Sequence, residues 1–423
     1  MPEPAVPTPS ARPARLALVG LALALLLTQL PAVAFAEHGG REVGSILNCD
    51  RPVTPPRCTS VGDDLRHYVW FDSSLTPELA DAMRRAMSGA YSRPTKLSVI
   101  EQGRRSAWTD VIAYSADYGD NGAAAWVYCP ADAAKGVNPS GDRWCREQQL
   151  VFNINPRYAA FFADDASREH VSCHELGHTL GLRHWGNPPE TDGPAGATCM
   201  NANTPNGPTR LHPTDVDHIN GYAYAVERRR TVPALPDPVT APRLEAVPRL
   251  AGTLVGASEL ERPRSLEALA DTADVVVRGR VAEVEAGRVF GPDHHPLHYA
   301  SVTVEVQEVL VGSADGSAAS TLVLEVPLLD GPQGLAQLRA EMVASERVLF
   351  LRSKATSAAM AGLPLADQLA ERGFHRLVTF GSELVSVGGV AVAAPDESRV
   401  LESLDGLPFD EAVARLRALG DGR

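Results

Sequence analysis

One run of the chain carries residues whose types and spacing suit metal chemistry: His174-Glu175-Leu176-Gly177-His178-Thr179-Leu180-Gly181-Leu182-Arg183-His184. On an α-helix, residues four apart are about 40° from one another on a single face. His174 and His178 can therefore offer imidazoles to one ion, at about 2.0–2.1 Å if that ion is zinc. Glu175 flanks the same site, where it can take a proton from a water on the metal rather than bind the metal. His184 lies six residues beyond His178. On a continuing helix it would be rotated about 240° away, out of reach. Gly181 removes that obstacle, because glycine adopts the left-handed conformation that ends a helix and turns the chain back. Three neutral histidines leave a fourth position open for water, as a catalytic zinc requires, and zinc lowers the pKa of that water toward ~7. Five specified residues at fixed offsets arise by chance in about one such chain in ten thousand, so an incidental origin is set aside.

These residues need a helix, and the pattern predicts one over 167–182. Upstream, His67-Tyr68-Val69-Trp70-Phe71 reads as a strand. Thr76-Pro77-Glu78 reads as a helix start, with Leu79, Met83 and Met87 on one face. Residues 96–101, 109–116, 123–128 and 149–153 read as further strands. The fold class expected for 61–229 is α+β, a twisted mixed sheet with the active helix packed on it.

The motif His-Glu-x-x-His-x-x-Gly-x-x-His resembles the signature of the metzincins, a family of zinc endopeptidases, and the strands upstream resemble its matrixin-like members. The resemblance covers about residues 61–229 and is most specific at 174–184. It implies hydrolysis of peptide bonds by a zinc-held water with Glu175 as general base, and a protein or peptide substrate. Met200, in Cys199-Met200-Asn201, matches the methionine that sits in a tight turn beneath the metal and supports the site without binding it. No tyrosine stands two residues after Met200, so the tyrosine ligand of astacin-like members is missing. Pro213-Thr214-Asp215 opens the closing helix such domains carry. Ala124, Ala125 and Trp126 match an edge strand on which an extended substrate pairs; an ordinary core strand is the alternative.

The setting fits an exported enzyme. Arg12 and Arg15 precede an apolar run from Leu16 to Leu27, and Ala34-Phe35-Ala36 puts small residues where a signal peptidase reads, predicting cleavage before Glu37 and secretion. That run is too short for a membrane span, which takes ~20 residues. Acidic residues outnumber basic ones, 52 to 39, which argues against nucleic acid or anionic membrane as partner. Six cysteines, Cys49, Cys58, Cys129, Cys145, Cys173 and Cys199, suit disulfides in an exported chain. Sequence does not choose among the fifteen pairings of six cysteines, and the sequential set is adopted: 49–58, 129–145 and 173–199. The last would tie the active helix to the Met200 turn.

After a short lead over 37–60 and the domain at 61–229, residues 230–263 are rich in proline and lack periodicity, the mark of a linker. From 264 to 423 there is no cysteine, and many short strands with a closing helix from Pro408 to Leu419 predict a small, mostly β, barrel-like domain, vaguely OB-like. It is read as a binding or positioning module for an unknown surface or partner. Weaker signals resolve to bland readings. Pro56-Arg57-Cys58 resembles a matrixin latency segment, but Thr59-Ser60-Val61-Gly62 stands where that family has Gly-x-Pro-Asp, so a disulfide of Cys58 is preferred. His170 reads as a helix-face residue, and His212 and His218 as surface or supporting residues. Asp293-His294-His295 with His298 reads as a loop. Asp117 to Gly122 could hold calcium but lacks EF-hand spacing, so a turn is expected. Two other functions compete: a non-catalytic zinc-containing binding or adhesion protein on the same fold, and an aminopeptidase or amidase acting on a specialised bond.

Overall fold

A computed structural model describes residues 64–421, except 131–132, 134, 138–142, 183, 185–197, 202–205, 221–257, 262, 313–320, 330, 343–345 and 394–399. The stretch expected to act as a signal peptide, Cys49 and Cys58 lie outside the described residues.

The strand-like runs upstream of the histidines assemble one mixed sheet. Its strands are β1 (Arg66–Phe71), β2 (Ser98–Gln102), β3 (Val111–Ala116), β4 (Ala123–Tyr128), β7 (Gln148–Asn153) and β8 (Ser258–Glu259), in the order β2-β1-β3-β7-β4-β8. A small hairpin, β5 (Lys135–Val137) with β6 (Arg143–Cys145), leads into β7. β2, β1, β3 and β7 run parallel, whereas β4 is antiparallel to both β7 and β8. Side chains alternate across the pleat, so Val111, Ala113, Leu150 and Phe152 share one face. Helices α1 (Pro77–Ala86) and α2 (Asp165–His178) cover that face. Thr76 caps α1 by accepting from the Leu79 amide, and Leu79, Met83 and Met87 are buried as their spacing predicts. Helix α3 (Pro213–His218) follows the Met200 turn.

The C-terminal half forms a second sheet from β9 (Val275–Phe290), β10 (Leu297–Gly312), β11 (Thr321–Leu328), β12 (Glu346–Ser353), β13 (Phe374–Leu377), β14 (Glu383–Val387) and β15 (Val390–Ala393). β13 pairs in parallel with β11 and antiparallel with β12, and β12 returns to β9. The ring β9-β10-β11-β13-β12 is therefore closed, with β14 and β15 as an extension of β12. Register shifts along β9–β10 supply the bends that closure needs. Val277, Val302, Val304, Leu324 and Leu349 fill the ring. Helices α4 (Leu266–Thr272), α5 (Pro332–Met342), α6 (Lys354–Met360), α7 (Leu365–Ala370) and α8 (Phe409–Asp421) complete this half. The class is thus α+β with two mixed sheets and several helices.

The two sheets are not separate bodies on a spacer, since all described residues belong to one compact unit. The outer face of the first sheet, with Tyr118, Trp126 and Val151, packs against Leu297, Tyr299 and Leu329 of the barrel half. The proline-rich stretch contributes structure at its end, where Ser258–Glu259 joins β4 as β8. β4 is consequently not an edge strand, and Ala124, Ala125 and Trp126 are buried. Buried ions cross the same boundary. Arg376 donates to Asp120 at 2.9 Å and to both oxygens of Glu261 at 3.0 and 2.9 Å, while Arg157 reaches Glu261 at 3.3 Å. Burial alone would raise the Asp120 pKa, but the charge of Arg376, with that of Lys354, holds it below the ordinary carboxylate value.

Candidate metal centre

Helix α2 starts where Asp164 accepts from the Ser167 amide, and its last helical residue is His178. The end is a Schellman turn. The Leu182 amide reaches the Gly177 carbonyl at 3.0 Å, the Gly181 amide reaches the His178 carbonyl at 3.1 Å, and Gly181 takes φ 81°. Thr179 fixes this end to the sheet. Its hydroxyl donates to Leu176 and so accepts from His67 Nε2 at 2.9 Å, while Gln148 donates to the Thr179 carbonyl at 3.0 Å.

The turn returns the chain, and three imidazoles converge. His174 Nε2 is 3.0 Å from His178 Nε2 and 2.8 Å from His184 Nε2, and the latter two are 3.1 Å apart. All three rings are buried. His174 Nδ1 lies 2.8 Å from the Cys199 carbonyl and His178 Nδ1 lies 2.8 Å from the Leu182 carbonyl. A carbonyl only accepts, so each Nδ1 carries the proton and each Nε2 presents a lone pair. Two lone pairs facing each other at 3.0 Å repel unless a cation lies among them. Burial, followed by the charges of His184 and His178, pushes the His174 pKa well below the ordinary histidine value, against the pull of the Cys199 carbonyl. His174 is thus held neutral, and the rings of His174 and His178 are aimed inward by carbonyl partners, so that with His184 they form a donor set that can hold a metal ion. These three residues are the group among the described residues that could hold one. Glu175, one residue from His174, is fully buried in the same helix.

Met200 packs against the helix at Gly177, between His174 and His178 in the chain. A turn from Thr198 to Asn201 is closed by the Asn201 amide on the Thr198 carbonyl, at 3.3 Å. The Thr198 hydroxyl accepts from the Met200 amide and donates to the buried Asp215 at 2.7 Å, which links the turn to α3. A Cβ on Gly177 would stand 2.3 Å from Met200 Sδ and 2.8 Å from the Tyr91 hydroxyl. Tyr91 in turn donates to the Cys173 carbonyl. The Cys173–Cys199 disulfide binds α2 to the turn, and Cys129–Cys145 closes the hairpin region. The sequence pattern assigns no role at the site to Gly177, Tyr91, Asp215 or His67. Only Gly177 carried a signal, since a glycine between two helical histidines costs helix stability and implies a packing reason.

The remaining candidates take other partners. His170 turns to the Pro208 carbonyl at 2.7 Å, and His212 is half-buried at the entry of α3. His294 pairs with Asp72 at 2.8 Å, and His295 stacks on Tyr114 with ring centroids 3.7 Å apart. Tyr118 and Tyr128 hydroxyls flank the same ring at 2.8 and 3.2 Å. That loop therefore docks the barrel half on the first sheet. Asp117 accepts from the Gly119 amide and from Asn155, and Asp120 is taken by Arg376 and Tyr158, so the calcium-like run is a turn with protein partners. No family model and no curated protein matches the chain. Among the described residues, no helix is long and apolar enough to cross a membrane.

Proposed function

We propose that this chain is an exported zinc-dependent endopeptidase of metzincin type, its metal held by His174, His178 and His184 and its general base Glu175. The observation that carries the reading is the triangle of Nε2 atoms, two of them fixed as lone-pair donors by backbone carbonyls, with a buried glutamate alongside. Tetrahedral zinc, at about 2.0–2.1 Å from each nitrogen, separates its ligand nitrogens by about 3.3 Å, close to the spacing found here. When bound, zinc supplies Lewis acidity, which lowers the pKa of a coordinated water and polarises a carbonyl. Glu175 takes the proton of the attacking water and delivers it to the leaving amine. The carbonyls of Cys199 and Leu182 hold the ligand rings in one tautomer, and Met200 props the helix between the ligands. The resemblance implies an extended peptide substrate paired along β4, a place that β8 takes in this structure, so such pairing requires β8 to leave. The two disulfides suit secretion. The closed five-strand ring suits an OB-like second domain.

One observation favours the second reading, a non-catalytic zinc-containing binding protein: β8 already lies along β4. Glu175→Gln separates the two. In an endopeptidase, the variant keeps wild-type zinc content and loses cleavage of casein and of internally quenched peptides by at least a hundredfold. Wild-type protein loaded with zinc yet inert toward a broad peptide library would overturn the enzymatic reading. Terminal-only products in the same digest would convert it to an aminopeptidase.

A further inference from the structure

The flank of β4 is the sheet edge nearest the active helix, since α2 packs against β4 itself. A strand at a sheet edge offers a row of amide and carbonyl groups that an extended peptide completes. Here the chain completes them itself. Glu259 faces Ala123, Ser258 faces Ala125, and the Leu260 amide donates to the Gly122 carbonyl at 2.7 Å, all antiparallel. Leu260 packs on the core that contains Leu176 and Met200, under the metal-ligand helix.

The fastenings of this segment come largely from the barrel half. The Phe380 amide donates to Glu259 at 2.8 Å. Arg376 holds both oxygens of Glu261 and, at the same time, Asp120. Asp120 also accepts from the Tyr158 hydroxyl, which itself accepts from the amides of Asn121 and Gly122 at the entrance to β4. One barrel side chain, Arg376, thus grips both the segment and the loop that opens the strand beneath it.

We propose that the C-terminal half is a built-in inhibitor: residues 258–261 form a strap that takes the β4 edge in place of an extended peptide, and the barrel clamps it there. This rests on the endopeptidase reading and adds its regulation. Substrate must compete with a tethered strand, so apparent affinity is the intrinsic affinity multiplied by the fraction of time the edge is free. Freeing the edge means releasing the strap from β4, by a partner that draws away Glu259 and Glu261 or by a cut within the strap. The barrel can stay docked through Trp126, Leu297 and Tyr299 meanwhile.

Two variants of the full chain test this in opposite directions. Leu260→Pro deletes the amide that bonds Gly122 and should raise kcat/KM on an internally quenched peptide library at least tenfold. Ala123→Cys with Glu259→Cys places thiols on directly opposed residues, within the reach of a disulfide. Oxidised, this lock should lower kcat/KM at least tenfold. A phosphine reductant should restore it to the level of the two single-cysteine variants treated alike. Each activity is read against the same background carrying Glu175→Gln. Equal, Glu175-dependent kcat/KM in wild type, Leu260→Pro and the oxidised lock would overturn the strap and leave the endopeptidase standing. Zinc-loaded protein with no Glu175-dependent cleavage in any background would overturn the endopeptidase and the strap with it. If Leu260→Pro fails to fold, the lock decides alone.

Discussion

Replacing Gly177 with alanine sets two sizeable effects against each other. Gly177 is helical, so alanine there should favour the helix by about 1 kcal/mol if nothing else touched it. The added methyl, however, would stand 2.3 Å from Met200 Sδ, 3.0 Å from Met200 Cε and 2.8 Å from the Tyr91 hydroxyl. Neither neighbour retreats freely. Tyr91 is pinned to the Cys173 carbonyl, and Met200 lies in a fully buried turn that Thr198 and Asp215 anchor. Overpacking of this kind costs about 1–3 kcal/mol, and two overlaps on one carbon belong at the upper end. Overlap therefore wins, and the net loss is about 1–2 kcal/mol. The displaced helix carries His174 and His178, whose Nδ1 atoms meet the Cys199 carbonyl beside Met200 and the Leu182 carbonyl in the turn that closes the helix. Loss of such ring-orienting partners weakens metal binding by about 10–100-fold. Competition with a chromophoric chelator measures the zinc affinity, and urea unfolding measures the stability. Met200→Ala in the same chain should recover part of the Gly177→Ala loss, a coupling of about 1 kcal/mol or more. A Gly177→Ala protein that unfolds later than wild type, with unchanged zinc affinity, would refute the claim that Met200 bears on the site.

The two disulfides should behave differently. Cys173→Ala with Cys199→Ala removes a link across 26 residues, costs about 2–4 kcal/mol, and frees the carbonyl that orients His174, so zinc affinity should fall about tenfold or more. Cys129→Ala with Cys145→Ala should cost stability and leave zinc affinity within about twofold; equal losses of affinity in both pairs would count against the positioning role. Acid should destabilise the protein partly through His67. Its ring is fully buried, Nδ1 finds no partner among the described residues, and burial lowers its pKa from 6.5 to about 4. The unfolded chain then binds the extra proton first, so this contribution is whole above pH 6.5 and is lost as pH falls toward 4. The loss amounts to at most about 3 kcal/mol. In urea titrations between pH 7.5 and 4, His67→Gln should flatten the slope by up to about 1.4 kcal/mol per pH unit, and a parallel slope would exclude the assignment.

Much of the first sheet was legible because its cues are local. Thr76-Pro77 carries its own cap, and the run at 67–71 has strand composition. Gly181 was legible for the same reason: a left-handed residue is the cheapest way to turn six residues back on themselves, and glycine supplies it. The pairings of Cys129 with Cys145 and of Cys173 with Cys199 agree with the sequential order, whereas 49–58 lies outside the described residues. What sequence did not yield depends on residues far apart in the chain. Tyr91 meets Cys173 across 82 positions, and Arg376 meets Asp120 across 256. A two-residue strand such as β8 has no periodicity to read, and proline-rich surroundings point the other way. Helices α4, α5, α6 and α7 escaped although Ala, Leu, Gln and Glu favour helix, because runs of 6 to 11 residues are too short to display a helical period.

The composition of β4 itself carries a cue. Ala123-Ala124-Ala125-Trp126-Val127 is apolar at consecutive positions, and a strand that reads so is buried on both faces. An edge strand beside an open cleft should alternate. The run thus announced a cover on the outer face, and the barrel half is that cover: Trp126 and Val151 meet Leu297, Tyr299 and Leu329, while Tyr299 donates to the Tyr118 carbonyl at 2.7 Å. Docking by apolar area and fastening by ions divide the labour. The apolar contact is non-directional and tolerates a shift of one sheet on the other. The ionic cluster does not, because separating Arg376 from Asp120 and Glu261 leaves charges buried without partners. The position of the strap on β4 is therefore set by a few named side chains, while attachment of the barrel is shared between an apolar face and the separate hydrogen bonds of His294, His295 and Tyr299. That division lets one loosen without the other.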